Sequence, residues 1–396
     1  MKRRILSILI VIGILLMHSS LFATEDTKTL TFDEKHKDGQ YIFLVHDVDI
    51  KVNEDWSYAT RVHKKIKILK EESKDMGEIP IYYENGREKI TSLKAFTITP
   101  DNKKHRYSKI QDFKLYDGYP MYSDSMAKII TLPEVTIGSV LEQEYTVIAK
   151  DFSIKNAFWY AYVIDSSTPM KELKFSITMP KSLGIKYKEF GLTRKPKITE
   201  NKSSITYSWV AQDIDGSKDE EDYLPPPTPE SFEETFEFSS IKDWRDISDW
   251  YLSSVKENLK INSEIEGAVK KITNGQVMLK DKTRVILQYI QDNFRYVSMA
   301  FGNNAMEPHP TDQIFKNKYG DCKDLSLLTM AMLKIAGIDS EIALFNTEYS
   351  LSDPQYDLPI PTLFNHVLLL VKDPKDGDFY IDPLLDGYDI GQYPLA

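Results

Sequence analysis

The chain has 396 residues, enough for two domains, with 50 basic and 60 acidic side chains and a net charge of −10. That acidic balance argues against a nucleic-acid partner, which would call for a basic footprint. A single cysteine excludes an internal disulfide and leaves one thiol to be explained.

Lys2, Arg3 and Arg4 precede an uncharged apolar run from Ile5 to Met17, and residues 18–23 offer a cleavage end at Ala23. The run falls short of the roughly 20 residues that a spanning helix needs. The layout therefore predicts a secretory signal over residues 1–23 and an exported product, whether periplasmic, cell-surface or secreted. An uncleaved N-terminal anchor is the alternative. No later stretch approaches the roughly 18 consecutive apolar residues of a membrane span, so no transmembrane segment is expected in the mature chain.

Residues 41–45, 59–69, 94–100, 140–149, 173–178 and 204–210 are rich in β-branched and aromatic side chains. Turn pairs such as Asn85-Gly86, Asp117-Gly118 and Ile137-Gly138 punctuate them. Many short strands with such turns predict an all-β, sandwich-like region over residues 24–225, mainly antiparallel, as one sandwich or two small consecutive ones. The acidic stretch 213–222 and the run Leu224-Pro225-Pro226-Pro227-Thr228-Pro229 then favour an extended connection, because proline fixes φ and removes a donor. A domain boundary is expected near residue 230.

Beyond it the period changes. Trp244, Ile247, Tyr251 and Val255 follow helical spacing, as do Val285, Ile286, Tyr289, Ile290 and Phe294. A third helix is predicted from Thr311 and a fourth over 322–336, stopped by Gly337. Strands are predicted at 341–345, 366–371 and 379–381. Helices followed by strands predict an α+β domain over residues 230–396.

The fourth helix is apolar on nearly every face, which marks a central, buried helix. Its first turn asks for more than packing. Gly320 lets the backbone approach closely, Asp321 can cap, and Cys322 sits where unpaired N–H groups and the positive dipole end converge. Such a position suits a nucleophilic sulfur and the oxyanion it would create. The plainer alternative is a buried, inert thiol. His366 opens an apolar strand and is the candidate base, the alternative being a satisfied histidine at the core edge. His309, between Pro308 and Pro310, reads as a solvent-facing loop residue. Asp382 ends a strand before Pro383 and can orient an imidazole, although Asp-Pro commonly starts a turn. Zinc held by Cys322, His366 and Asp382 is conceivable by ligand type, but no second cysteine or paired histidine motif supports it, and no cofactor is expected.

Gly320-Asp321-Cys322-Lys323-Asp324-Leu325, Phe364-Asn365-His366-Val367 and Tyr380-Ile381-Asp382-Pro383 together resemble the transglutaminase-like superfamily. Tyr296-Val297-Ser298 and Pro308-His309-Pro310 are similar to its bacterial branch, and the front region resembles the uncharacterised β-rich module often placed ahead of such domains in exported bacterial proteins. The resemblance implies a papain-like α+β fold with Cys322 as nucleophile, His366 as general base and acid, and Asp382 as orienter. It implies acyl transfer through a thioester on peptide or isopeptide amides, with hydrolysis favoured over transfer to an amine acceptor. The loop from Thr347 to Pro361 is expected to wall a groove. A non-catalytic envelope module that binds protein or glycan through the β-rich half is the competing reading. No residue stands out in the sequence as a second oxyanion donor.

Overall fold

The computed structural model describes residues 30–119, 121, 124–150, 154–164, 168–190, 195–216, 235–298, 306–347, 358–385 and 390–391. The signal-like segment 1–23, the proline run, the boundary expected near residue 230 and most of the loop 347–361 lie outside them. Residues up to Gly39 form a unit of their own, in which Phe32–Lys35 makes one helical turn capped by Thr31. Residues 40–396 form the second unit.

Among the described residues that second unit begins with fourteen strands. They are β1 Tyr41–Val52, β2 Tyr58–Ile68, β3 Glu78–Glu84, β4 Glu88–Ile98, β5 Lys104–Arg106, β6 Lys109–Lys114 and β7 Ser125–Thr131. There follow β8 Val140–Ala149, β9 Trp159–Val163, β10 Met170–Pro180, β11 Lys186–Phe190, β12 Lys197–Glu200, β13 Ser204–Ile214 and β14 Thr235–Ser239. Eight of them make one sheet in the order β12-β13-β10-β1-β2-β8-β4-β5, and β11-β14-β9 and β3-β7-β6 make two smaller sheets.

Period-two alternation gives the large sheet one apolar face. Val48, Leu141, Phe175, Ile177 and Trp209 lie on it, and both small sheets cover it, through Phe236 and Phe238 on one side and Ile79, Ile81 and Ile130 on the other. The opposite face carries cross-strand polar pairs such as Arg61–Glu144, Lys65–Glu142 and Ser176–Asp49. The region is thus a single layered β structure rather than two consecutive sandwiches. One pairing departs from the antiparallel expectation: β1 and β10 run parallel, Val48 opposite Phe175 and Ile50 opposite Ile177. Parallel neighbours need a long crossover, and here the chain from β2 to β9 supplies it. Strand β14, beyond the proline run, returns to this core with Phe236 and Phe238 fully buried. Burying each ring is worth about 1.5–3 kcal/mol.

Among the described residues five α-helices follow, α1 Trp244–Asn258, α2 Ser263–Ile272, α3 Leu279–Asn293, α4 Thr311–Asn317 and α5 Cys322–Ile335, with the two-residue strands β15 Arg295–Tyr296 and β16 Tyr319–Gly320 pairing between them. The sequence pattern anticipates all but α2. Asp243 and Asp246 form a capping box on α1, Asn262 caps α2, and Asp321 and Asp324 form a second box on α5. Gly337, at φ 76°, ends α5 while the Ile338 N–H returns to the Leu333 carbonyl. The last sheet has the order β17 Ser340–Phe345, β18 His366–Val371, β19 Phe379–Ile381, all antiparallel. Leu325, Leu328 and Met332 of α5 pack between Leu369, Val371 and Ile381 of this sheet and Ile265, Ile286 and Ile314 of the other helices. The α5 helix is therefore the central one, and its N-terminal end meets the start of β18.

Candidate active site

The first turn of α5 is built by charge inside a dry frame. Asp321 caps the helix through the Asp324 N–H, and Asp324 accepts in return from the Asp321 N–H. Lys323, 2% exposed, pairs with Asp321. Asp324, fully buried, accepts from the backbone N–H and Nδ1 of His309, at 2.8 and 3.1 Å. Burial opposes ionisation in this cluster, and the partners decide the outcome. The His309 contacts hold Asp324 below its ordinary range, and Asp324 in turn raises His309 against its burial. For Asp321, burial and the neighbouring Asp324 charge prevail over the Lys323 contact and push its carboxyl up to about 6. Gly320 is required by space, since a Cβ there would lie 2.6 Å from the Asp324 Cβ.

Among these buried neighbours Cys322 is only partly buried. It lines a cavity of about 440 Å³ with His366, Trp250, Tyr251, Tyr296 and Phe364. Two short contacts align the opposing elements. The Ser326 hydroxyl, one turn along α5, donates to the Val367 carbonyl beside His366 at 3.1 Å. The paired residues Tyr296 and Gly320 join the chain after α3 to the chain before α5.

His366 stands at the entry to β18 with Nε2 2.6 Å from Asp382 Oδ2. Asp382, 7% exposed, spends its other oxygen on the Leu384 N–H at 2.9 Å. Nδ1 is the ring nitrogen that this bond leaves open, and His366 lines the same cavity as Cys322. Burial alone would depress the imidazole. The bonds and charges of Asp382 and Cys322 outweigh it and push His366 from 6.5 to about 10. Of the three residues that the sequence singles out separately, Cys322 of α5 and His366 of β18 line one cavity, and Asp382 at the end of β19 is bonded to the His366 ring. Among the described residues no group of three or more His, Cys, Asp or Glu side chains is disposed to hold a metal ion.

His309 is not the solvent-facing residue that its loop suggests. Its side chain is 13% exposed, and Nε2 donates to the Met121 carbonyl at 2.9 Å. The buried Asp324 draws the ring inward, and the β6–β7 connection closes over it. Two more residues of the site carry no signal in the sequence: Lys323 has the pattern of a helix-surface lysine, and Tyr251 that of a core aromatic.

The family model of the transglutaminase-like superfamily matches residues 266–356, around Cys322. The chain carries a transglutaminase-like domain. His366 and Asp382 lie beyond the matched span. Residues 54–217 match a domain of unknown function with solved structure, DUF3857, which covers most of the β region ahead of the transglutaminase-like domain. A crystal structure from Parabacteroides distasonis ATCC 8503, described as that of a "putative protease", is 15% identical with a TM-score of 0.71. The match covers 90% of this chain and 72% of that one, and at this identity it speaks for the shared fold of β region plus transglutaminase-like domain. An M1 zinc metallopeptidase from Deinococcus radiodurans overlaps 50% of this chain and 42% of its own at 10% identity, with a TM-score of 0.26 that bears no argument. No curated protein matches the chain. Among the described residues no helix is long and apolar enough to cross a membrane.

Proposed function

We propose that the chain is a cysteine peptidase or amidase that cleaves peptide or isopeptide amides by thioester acyl transfer, and that it works outside the cytoplasm. The observation that carries this reading is that Cys322 and His366 line one cavity while the His366 ring is bonded to the buried Asp382. The charged start and apolar run of residues 2–17 support export, and the name of the Parabacteroides neighbour agrees with a peptidase.

In this mechanism the thiol proton rests on His366 and the sulfur adds to the amide carbonyl carbon, moving the C=O pair onto oxygen. As the C–N bond breaks, the imidazolium gives its proton to the leaving amine. An imidazole held protonated by Asp382 is the acid that this step needs. Water then gives a proton to His366 and attacks the thioester, and the C–S bond breaks to release the acid. Asp382 keeps the ring in one orientation throughout and steadies its charge.

The test is iodoacetamide labelling across pH together with incubation against envelope peptides and amine acceptors, read by product mass. A catalytic Cys322 alkylates faster than a free thiol at neutral pH, and Cys322→Ala abolishes turnover with the fold intact. A Cys322→Ala protein that keeps full biological activity would make the chain a binding module instead. Products joined to an amine acceptor in place of hydrolysed ones would assign cross-linking.

A further inference from the structure

Tyr251 lies on the buried face of α1, in register with Ile247 and Val255, and packs against Val255 and Leu327 of α5. It is 4% exposed, yet its hydroxyl has no hydrogen-bond partner among the described residues. Phenylalanine would fill the same space without burying an unpaired hydroxyl, so packing alone does not account for a tyrosine here. The hydroxyl belongs to a residue that lines the Cys322 cavity. It is close enough to feel the charge of Cys322 but not bonded to the sulfur.

We propose that the Tyr251 hydroxyl is a donor to the oxyanion formed when Cys322 adds to a carbonyl, acting with the first N–H groups of α5. The proposal rests on the reading of Cys322 as nucleophile. Those N–H groups, at Cys322 and Lys323, have no intrahelical acceptor because the helix starts there. No proton is transferred in this role. The carbonyl pair moves to oxygen, the phenol and the backbone donate to it, and the bonds lapse as the C=O reforms. Burial, followed by the nearby charges of Cys322, Asp321, Asp324 and Glu307, holds Tyr251 well above the usual phenol range, so it stays a neutral donor. Three other polar groups of the cavity are already engaged. Asn365 exchanges hydrogen bonds with Thr347, Lys323 is paired with Asp321, and Tyr296 is half-exposed and bonded to Ser298.

The experiment compares the full chain with its Tyr251→Phe and Tyr296→Phe variants in two reactions at Cys322. Acylation by p-nitrophenyl acetate passes through an oxyanion and releases p-nitrophenolate, whereas alkylation by iodoacetamide forms none. For Tyr251→Phe the acylation rate constant is expected to fall about 100-fold, the usual effect of one lost oxyanion donor. Its alkylation rate should hold, and its melting temperature should stay or rise because a buried unpaired hydroxyl has been removed. Acylation within about threefold of wild type overturns the proposal, as does an equal fall in both reactions. So does a lowered melting temperature, or a loss confined to Tyr296→Phe. A wild-type Cys322 that alkylates readily but is not acylated also overturns it. A wild-type Cys322 that neither alkylates faster than a free thiol nor is acylated removes the nucleophile reading itself.

Discussion

Replacing Asp382 by asparagine separates charge from shape at the back of His366. The side chain keeps its size in a site 7% exposed, and its carbonyl can still accept from the Leu384 N–H. The amide nitrogen then faces Nε2 where Oδ2 stood at 2.6 Å. Two consequences follow. Losing an opposite charge at this range lowers a histidine by about 1–3 units, so the midpoint of His366, about 10 in the native protein, should drop toward neutrality. An amide that donates to Nε2 also forces the neutral ring to carry its proton on Nδ1, the nitrogen that must receive the thiol proton. A wrong tautomer of this kind costs roughly 10⁴ in rate where it has been tested on a Ser-His-Asp triad. The measurements are an NMR titration of the His366 ring and the pH profile of acylation at Cys322. The linkage has a definite sign. The folded state binds the proton up to about 10 against 6.5 for the unbiased imidazole. The stability from these contacts is therefore full below about pH 6.5 and is lost as pH rises toward 10. That slope should flatten in Asp382→Asn. An unshifted midpoint with unimpaired acylation would refute the assignment of Asp382 as orienter.

Two further variants probe the frame around the sulfur. Gly320→Ala places a Cβ 2.6 Å from the Asp324 Cβ, an atom that no rotamer can move away. A loss of about 1–3 kcal/mol is expected in urea unfolding, and an unchanged midpoint would mean that the turn yields freely. His309→Ala leaves Asp324 buried without its imidazolium, which should cost about 3–5 kcal/mol in the same assay. The contribution of His309 is present below pH 6.5 and lost as pH rises through its elevated range. A variant as stable as wild type at pH 6 would contradict the ion pair.

What the sequence discloses of this protein is what short-range periodicity encodes. The apolar positions of α5, the capping acids and Gly337 lie within one helix and its ends, and they suffice to mark it as central. His366 and Asp382 are legible because each ends or begins a strand whose neighbours face the same sheet. The pairing of β1 with β10 is not legible, since nothing in either strand names a parallel partner more than a hundred residues away. The return of β14 is equally hidden. Phe236 and Phe238 alternate as in any short strand, and only the distant β9 and β11 tell where they pair. His309 misleads because the prolines on either side describe a loop, whereas its environment is set by an aspartate one helix further on. Tyr251 is legible as a core position and no more. A helical period reports which face is buried and is silent about whether a hydroxyl on it is satisfied.

The β region takes part in the foundations of the candidate site through a connection as well as through a strand, Trp159 of β9 packing in one cluster with Trp250 and Phe364. Between β6 and β7, Tyr116, Tyr119 and Met121 pack into the core of the transglutaminase-like domain. The Met121 N–H donates to the Tyr319 hydroxyl at 3.2 Å, and its carbonyl accepts from His309. Tyr319 immediately precedes Gly320, and His309 holds Asp324, so both bonds end within one turn of Cys322. A protonated imidazole can serve the Met121 carbonyl and the Asp324 carboxylate together, whereas a neutral one has a single N–H on its ring and must release one of them. The charge on His309 thus joins two things that the family boundaries separate: the fit of the β region against the α+β core, and the capping box that sets the first turn of α5. A substitution of Met121 is therefore expected to act on the first turn of α5 without touching any group that lines the Cys322 cavity, and an unchanged alkylation rate at Cys322 would contradict it.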